Sequence, residues 1–142
     1  MAVFIKRAYE LPAASDGARV LVDRLWPRGV SKREARIDQW LRDLAPSASL
    51  RLWFHRQSQH FGAFRKRYLK ELSTPAASAA LEKLYALERK HPMLTLVYAS
   101  KDEQYNNAAV LKELLEGMRK PPSSSGPARA VAARARMPRP RR

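Results

Sequence analysis

The chain has 142 residues, no cysteine and a formal net charge of +15, from 28 Lys/Arg against 13 Asp/Glu. That length supports one domain with its own hydrophobic core. The absence of cysteine excludes disulfides, a thiolate nucleophile and thiolate metal sites. With no secretory signal and no apolar run near the ~20 residues of a membrane span, the sequence predicts a cytoplasmic protein with no membrane partner.

Val3–Tyr9 reads as a short strand with Val3 and Ile5 set against Phe4 and Ala8, and Arg7 and Tyr9 at its exit. Pro12, Ser15, Asp16 and Gly17 are loop formers that close it off. The connection is shorter than the dozen or more residues that link parallel strands. Either the crossover is abbreviated or this strand and the next are not simple parallel neighbours. Arg19–Lys32, RVLVDRLWPRGVSK, is the densest stretch. Val20, Leu21, Val22 and Leu25 suggest a strand covered on both faces. Asp23 and Arg24 break its apolar run, and Trp26-Pro27-Arg28-Gly29 reads as an ordered turn.

Ser31 and Glu34 have capping-box spacing, predicting a helix that buries Ile37, Trp40, Leu41 and Leu44 and stops before Pro46. Ser47 or Ser49 caps a short turn containing Leu50, Leu52, Trp53 and Phe54, and His55–His60 reads as a polar loop. Phe61, Phe64, Tyr68, Leu69 and Leu72 follow helical spacing, with Arg65, Lys66, Arg67 and Lys70 on the other faces. Thr74-Pro75 opens a helix running to about Lys90, whose small residues Ala76–Ala80 either pack closely or face solvent. Met93–Ala99 is the clearest buried strand. Asp102 is an N-cap candidate for a last helix that buries Val110, Leu111, Leu114, Leu115 and Met118.

From Pro121 onward Pro, Ser, Ala and Arg dominate without apolar period, which predicts disorder. The reading is therefore a single α/β domain over residues 1–118: a small three-layer fold with a short, mainly parallel sheet flanked by helices. A disordered basic tail follows over 119–142. The tail holds eight Lys/Arg and no acid, and residues 1–118 keep a surplus of +7. Such a surface attracts polyanions, making nucleic acid a candidate partner.

In a parallel sheet, ligands bind beyond the carboxyl ends of the strands. Strands running the same way would bring Arg7 and Tyr9, Asp23 and Arg24, and Ser100 and Lys101 to one edge, with Trp26 and Arg28 in the turn above it. Cations, a carboxylate, a phenol and a helix N-terminus suit a phosphate or carboxylate ligand. The competing reading is an internal ion-pair network in which Asp23 neutralises Arg7 or Arg24. Asn106 and Asn107 fit either a ligand's polar edge or a helix start. Trp40 and Trp53 read as core, and Trp26 as core or platform. His55, His60 and His91 lack metal-ligand spacing, so no metal site is predicted. No Walker loop, dinucleotide glycine fingerprint or nucleophile elbow names a cofactor.

LVDRLWPRG, the capped helix after it, FRKRYLKEL and LTLVYASKDEQYNNAAVL together resemble the YeaO-like branch of domain-of-unknown-function family 488, over about residues 3–116. The resemblance implies a small bacterial cytoplasmic α/β domain and brings no established reaction. Arg7, Tyr9, Asp23, Arg24, Trp26, Pro27, Arg28, Gly29, Tyr98, Lys101 and Asn106 fit its pattern. An aromatic common in the branch is replaced by Ala18, and its Asn-His-Ala motif reads Asn106-Asn107-Ala108 here. The histidine best suited to acid–base work is thus absent, as is the Cys-His-Arg set of longer family members.

Whether the domain is an enzyme stays open at this point. One reading is an enzyme or binding domain for a phosphate- or nucleotide-like anion, with Asp23 as base or orienter and Arg24, Arg28 and Lys101 as clamps. The alternative is a non-catalytic, sequence-indifferent nucleic-acid module using the Arg65–Lys70 face and the tail. A third is a protein-interaction scaffold whose charges serve solubility.

Overall fold

The computed structural model describes residues 2–57 and 59–119. Its four strands, β1 (Ala2–Arg7), β2 (Ala18–Leu21), β3 (Gln39–Trp40) and β4 (Met93–Tyr98), form one sheet in the order β1-β4-β2-β3. Every pairing is parallel. β1 runs beside β4 from Ala2↔Met93 to Arg7↔Tyr98, and β2 beside β4 from Ala18↔Leu94 to Leu21↔Val97. The short link from β1 to β2 is explained: β4 lies between them, so they are parallel without being neighbours.

The helices are α1 (Lys32–Ala35), α2 (Ala48–Arg56), α3 (Phe61–Glu71), α4 (Pro75–Lys90) and α5 (Asn107–Arg119). Alternation along the strands sends Val3, Val20, Leu94 and Leu96 to one face, where the core also takes Leu50 of α2, Tyr68 of α3, Leu84 of α4 and Leu111 of α5. Ala77 and Ala80 of α4 are buried there and Ala76 and Ala79 are exposed, so the small-residue run serves both purposes.

The opposite layer is thin. Leu21 and Val97 meet Trp26, Ile37 and Trp40, the two indoles edge to face at 5.5 Å. A 3-10 turn at Ala14–Asp16 completes the cover, held by Thr95, whose hydroxyl donates to the Asp16 carbonyl at 2.7 Å. Beneath it Asp16 accepts from Arg19 Nη1 at 2.7 Å, Lys6 Nζ at 3.1 Å and the Ala13 amide at 3.0 Å. Arg19 also donates through Nε to the Ala35 carbonyl. Burial alone would raise the Asp16 carboxyl, but the Ala13 amide, Lys6 and Arg19 outweigh it and hold it below its usual range.

Several expectations are corrected. Leu25 is not in a strand: β2 ends at Leu21 and Leu25 is 70% exposed. The helix opened by Ser31, whose Oγ accepts from the Glu34 amide, lasts only to Ala35 because Arg36 turns left-handed at φ 49°. Ile37, Trp40 and Leu41 therefore lie on no helix, and Leu44 ends a separate 3-10 turn, Arg42–Leu44. Asp38 and Arg19 exchange two hydrogen bonds of 2.8 Å, the Arg19 amide to the Asp38 carboxylate and the Asp38 amide to the Arg19 carbonyl. That pins β3 to β2. His55 belongs to α2, a nine-residue helix rather than a turn. Asp102 does not cap α5: its Oδ1 accepts from the Gln104 and Tyr105 amides, and Asn106 Oδ1 accepts from the Ala109 amide instead. The tail from Lys120 and the Met118 side chain lie outside the description. No helix among the described residues is long and apolar enough to cross a membrane.

Candidate functional site

A parallel sheet ends all its strands on one side, so the C-terminal ends of β1, β4 and β2 share an edge. Asp23 stands at its centre, two residues beyond β2. Its Oδ2 accepts from the Ala99 amide at 2.8 Å and its Oδ1 from Asn107 Nδ2 at 3.2 Å, while its carbonyl accepts from Trp40 Nε1 at 2.8 Å. Burial raises the Asp23 carboxyl above its usual value, opposed by the Ala99 amide, the Asn107 amide and the charge of Arg51. Asp23 forms no salt bridge with Arg7 or Arg24 among the described residues. The ion-pair network lies instead at the other end of β2, around Asp16.

Asn107, buried at the first residue of α5, also donates to the Val22 carbonyl at 3.0 Å and so ties α5 to β2. Asn106 donates to the Asp102 carbonyl at 2.8 Å and fixes the loop before the helix. Below Asn107 the fully buried Tyr68 donates its hydroxyl to the Leu44 carbonyl. Burial first, and then the charge of Asp23, push that hydroxyl well above its ordinary value, with Asn107 opposing. Tyr68→Phe should leave the Leu44 carbonyl without that donor and cost about 1–3 kcal/mol in urea unfolding. A cost near zero would mean that the hydroxyl is not needed there.

Around this centre the cations divide. On the β1–β4 side Arg7 donates through Nε to the Ser100 carbonyl at 2.8 Å and lies 5.1 Å over the Tyr9 ring. Charge is mixed there. Glu10 accepts from the Arg7 amide, and the Tyr98 hydroxyl is raised by burial, then by Glu103 and Glu10, with Arg7 opposing. Ser100 Oγ accepts from the Asp102 amide at 3.2 Å and Lys101 is exposed. On the β2 side Arg24 donates to the Ala45 carbonyl at 3.3 Å, and Arg28 is exposed in its turn. That turn is fixed at two points: the Tyr9 hydroxyl donates to the Arg28 carbonyl at 3.0 Å, and Trp26 Nε1 to the Val30 carbonyl at 2.6 Å.

The structure thus gathers Arg7, Tyr9, Asp23, Arg24, Ser100, Lys101, Asn106 and Asn107 along one edge, with Trp26 and Arg28 in the turn beside it. Trp26 packs into the thin layer against Trp40 rather than standing free as a platform. Sequence reasoning missed Arg51 and Tyr68 as neighbours of Asp23. The available signal was a hydroxyl at a core position of α3, since a buried phenol needs a partner. No group of His, Cys, Asp or Glu that could hold a metal occurs among the described residues.

Comparison with known proteins places these features in a family. The chain is 43% identical over 115 residues to the uncharacterized protein Rv3073c of Mycobacterium tuberculosis, covering 81% of this chain and 94% of that one. The uncharacterized protein Mb3100c of Mycobacterium bovis matches with the same identity and coverage. The uncharacterized protein YeaO of Escherichia coli is 38% identical over 118 residues, 83% of this chain and all of its own length. No solved structure matches significantly. Residues 2–129 match the family model described as the inactive DUF488-N3 subclade, and the chain belongs to that family.

Proposed function

We propose that the chain is a non-catalytic binding domain for a small phosphate-bearing anion at the C-terminal edge of the sheet. The observation that carries this reading is the engagement of both Asp23 oxygens by Ala99 and Asn107, which leaves Arg24, Arg28 and Lys101 without a carboxylate partner among the described residues. Guanidinium groups in that state are natural phosphate ligands. In this reading Asp23 is an orienter: it fixes the Ala99 amide and the start of α5. Arg7, Tyr9, Ser100 and Asn106 hold the surrounding loops, and Trp26 anchors the turn that presents Arg28.

A binding role is favoured over a catalytic one by position 107. An amide takes up no proton near neutral pH, and here it is occupied by Val22 and Asp23. The name of the subclade points the same way.

Calorimetric titration with inorganic phosphate and a nucleoside diphosphate, with the neutral nucleoside as control, tests the reading. Arg28→Ala should change stability by no more than about 0.5 kcal/mol, as for an exposed position, yet weaken phosphate binding roughly tenfold. Asp23→Asn should reduce stability while binding persists or strengthens. If Arg28→Ala unfolds the protein and no anion stabilises the parent, Arg28 is structural and the reading fails.

A further inference from the structure

Positive charge is distributed unevenly along the folded part of the chain. Residues 47–74, which hold α2 and α3, contain six Lys/Arg and a single acid, a surplus of +5 out of the +7 carried by residues 1–118. Residues 1–46 contribute +3 and residues 75–118 contribute −1. The acid of that segment, Glu71, is taken up by Ser47: its Oε1 accepts from the Ser47 amide at 2.8 Å and its Oε2 from the Ser47 hydroxyl at 2.6 Å. It therefore serves the N-terminus of α2 rather than the cations beside it.

Between α2 and α3 lies a cleft of about 600 Å³. Leu50 and Trp53 give it an apolar wall, and Arg67 and Lys70 line its other side together with Glu71, whose carboxylate is held by Ser47. The Arg67 guanidinium lies 4.2 Å from the centre of the Trp53 ring. Held against an indole, a guanidinium loses little freedom on binding, and it keeps an outer face for stacking and N–H groups for phosphate oxygens. Lys66 and Lys70 are exposed one turn apart on α3, and Arg56 continues the Trp53 stripe of α2. Neither Arg67 nor Lys70 has a carboxylate partner among the described residues. Arg65, by contrast, is paired with Glu113 of α5 at 2.6 Å.

We propose that this cleft binds single-stranded nucleic acid, one base lying on the Trp53–Arg67 pair and the flanking phosphates meeting Lys66 and Lys70. A stacking surface set among cations is the combination that single strands use, because an unpaired base reaches it without the unpairing cost that a duplex base must meet. The site is separate from the strand edge and does not depend on anion binding there.

The test uses the full-length chain and a labelled 12-nucleotide strand of mixed sequence, read by anisotropy. Its duplex and inorganic polyphosphate, which carries the charge without bases, serve as competitors. The single strand should bind roughly tenfold more tightly than the duplex and resist polyphosphate at equal phosphate concentration. Arg67→Lys keeps the charge and removes the planar group; it should weaken single-strand binding at least fivefold while leaving polyphosphate binding unchanged. Trp53→Phe, checked for an unchanged melt, should reduce the fluorescence quenching caused by the strand. If Arg67→Lys binds the strand as the parent does, the proposal is wrong. Equal binding of strand, duplex and polyphosphate also overturns it, because attraction to bulk positive charge would then be sufficient.

Discussion

Gly17→Ala is expected to cost about 3–5 kcal/mol, enough to unfold a domain of ordinary stability. Gly17 leaves the 3-10 turn with φ 67° and ψ −139°, a conformation that L-residues rarely adopt. A Cβ there would lie 2.1 Å from the Met93 carbonyl oxygen and 2.7 Å from the Met93 Cβ, both at the first residue of β4. Neither the turn nor the central strand can retreat without breaking register. Gly29→Ala is the control. Its φ is 77°, but nothing lies within 4 Å of an added Cβ, so only the backbone penalty of about 1–2 kcal/mol applies. Urea unfolding of both variants measures the difference; equal costs would show that the close approach to Met93 is relieved by movement.

Asp16→Asn should be nearly as severe, at about 3–5 kcal/mol, because it strips the shared counter-charge from Lys6 and Arg19. Arg19 is 3% exposed and its Nη2 already lacks a partner, so water cannot easily replace the lost carboxylate. The effect carries a pH signature. The folded Asp16 carboxyl lies below its usual range, so its stabilisation is complete above the ordinary carboxylate pKa and is lost as pH falls through the folded value. The gap between parent and variant should therefore be widest near neutrality and close in acid. Asp23 works in the opposite sense. Its folded carboxyl is raised, so its contribution weakens as pH climbs from the ordinary value towards the raised one. A gap for Asp16→Asn that does not narrow in acid would mean that the carboxylate charge is not what Lys6 and Arg19 require.

What could be read from the residues alone depended on how local the cause was. α3, α4 and β4 follow from periodicity, a Thr-Pro start and an unbroken apolar run. β3 was hidden because Ile37, Trp40, Leu41 and Leu44 mimic helical spacing. The event that stops the helix is a left-handed Arg36, without the glycine that usually announces one. The exit edge was legible because β-strands followed by polar residues project those residues to one side once the sheet is parallel. The role of Asp23 was not legible. Its partners Ala99 and Asn107 are 76 and 84 residues away, and only the closed sheet brings them to it. Lys6, Asp16 and Arg19 were invisible for a different reason: they are close in sequence, but Asp16 looks like any loop former until Arg19 is buried against it.

The placement of β4 also governs the order in which this molecule can assemble on the ribosome. β1 and β2 are among the first segments synthesised, yet neither bonds to the other; until Met93–Tyr98 appears, β1 has no strand partner and β2 has only the two-residue β3. The pairing Ala2↔Met93 closes across 91 residues, so most of the body must be made before the central strand exists. Until then β1 and one edge of β2 have no partner in the chain, a condition that favours pairing between copies. Such long-range closure slows folding compared with a helical bundle of the same size. Nascent chains halted before residue 93 should be protease-sensitive and prone to associate, and those that expose β4 and α5 should become resistant together.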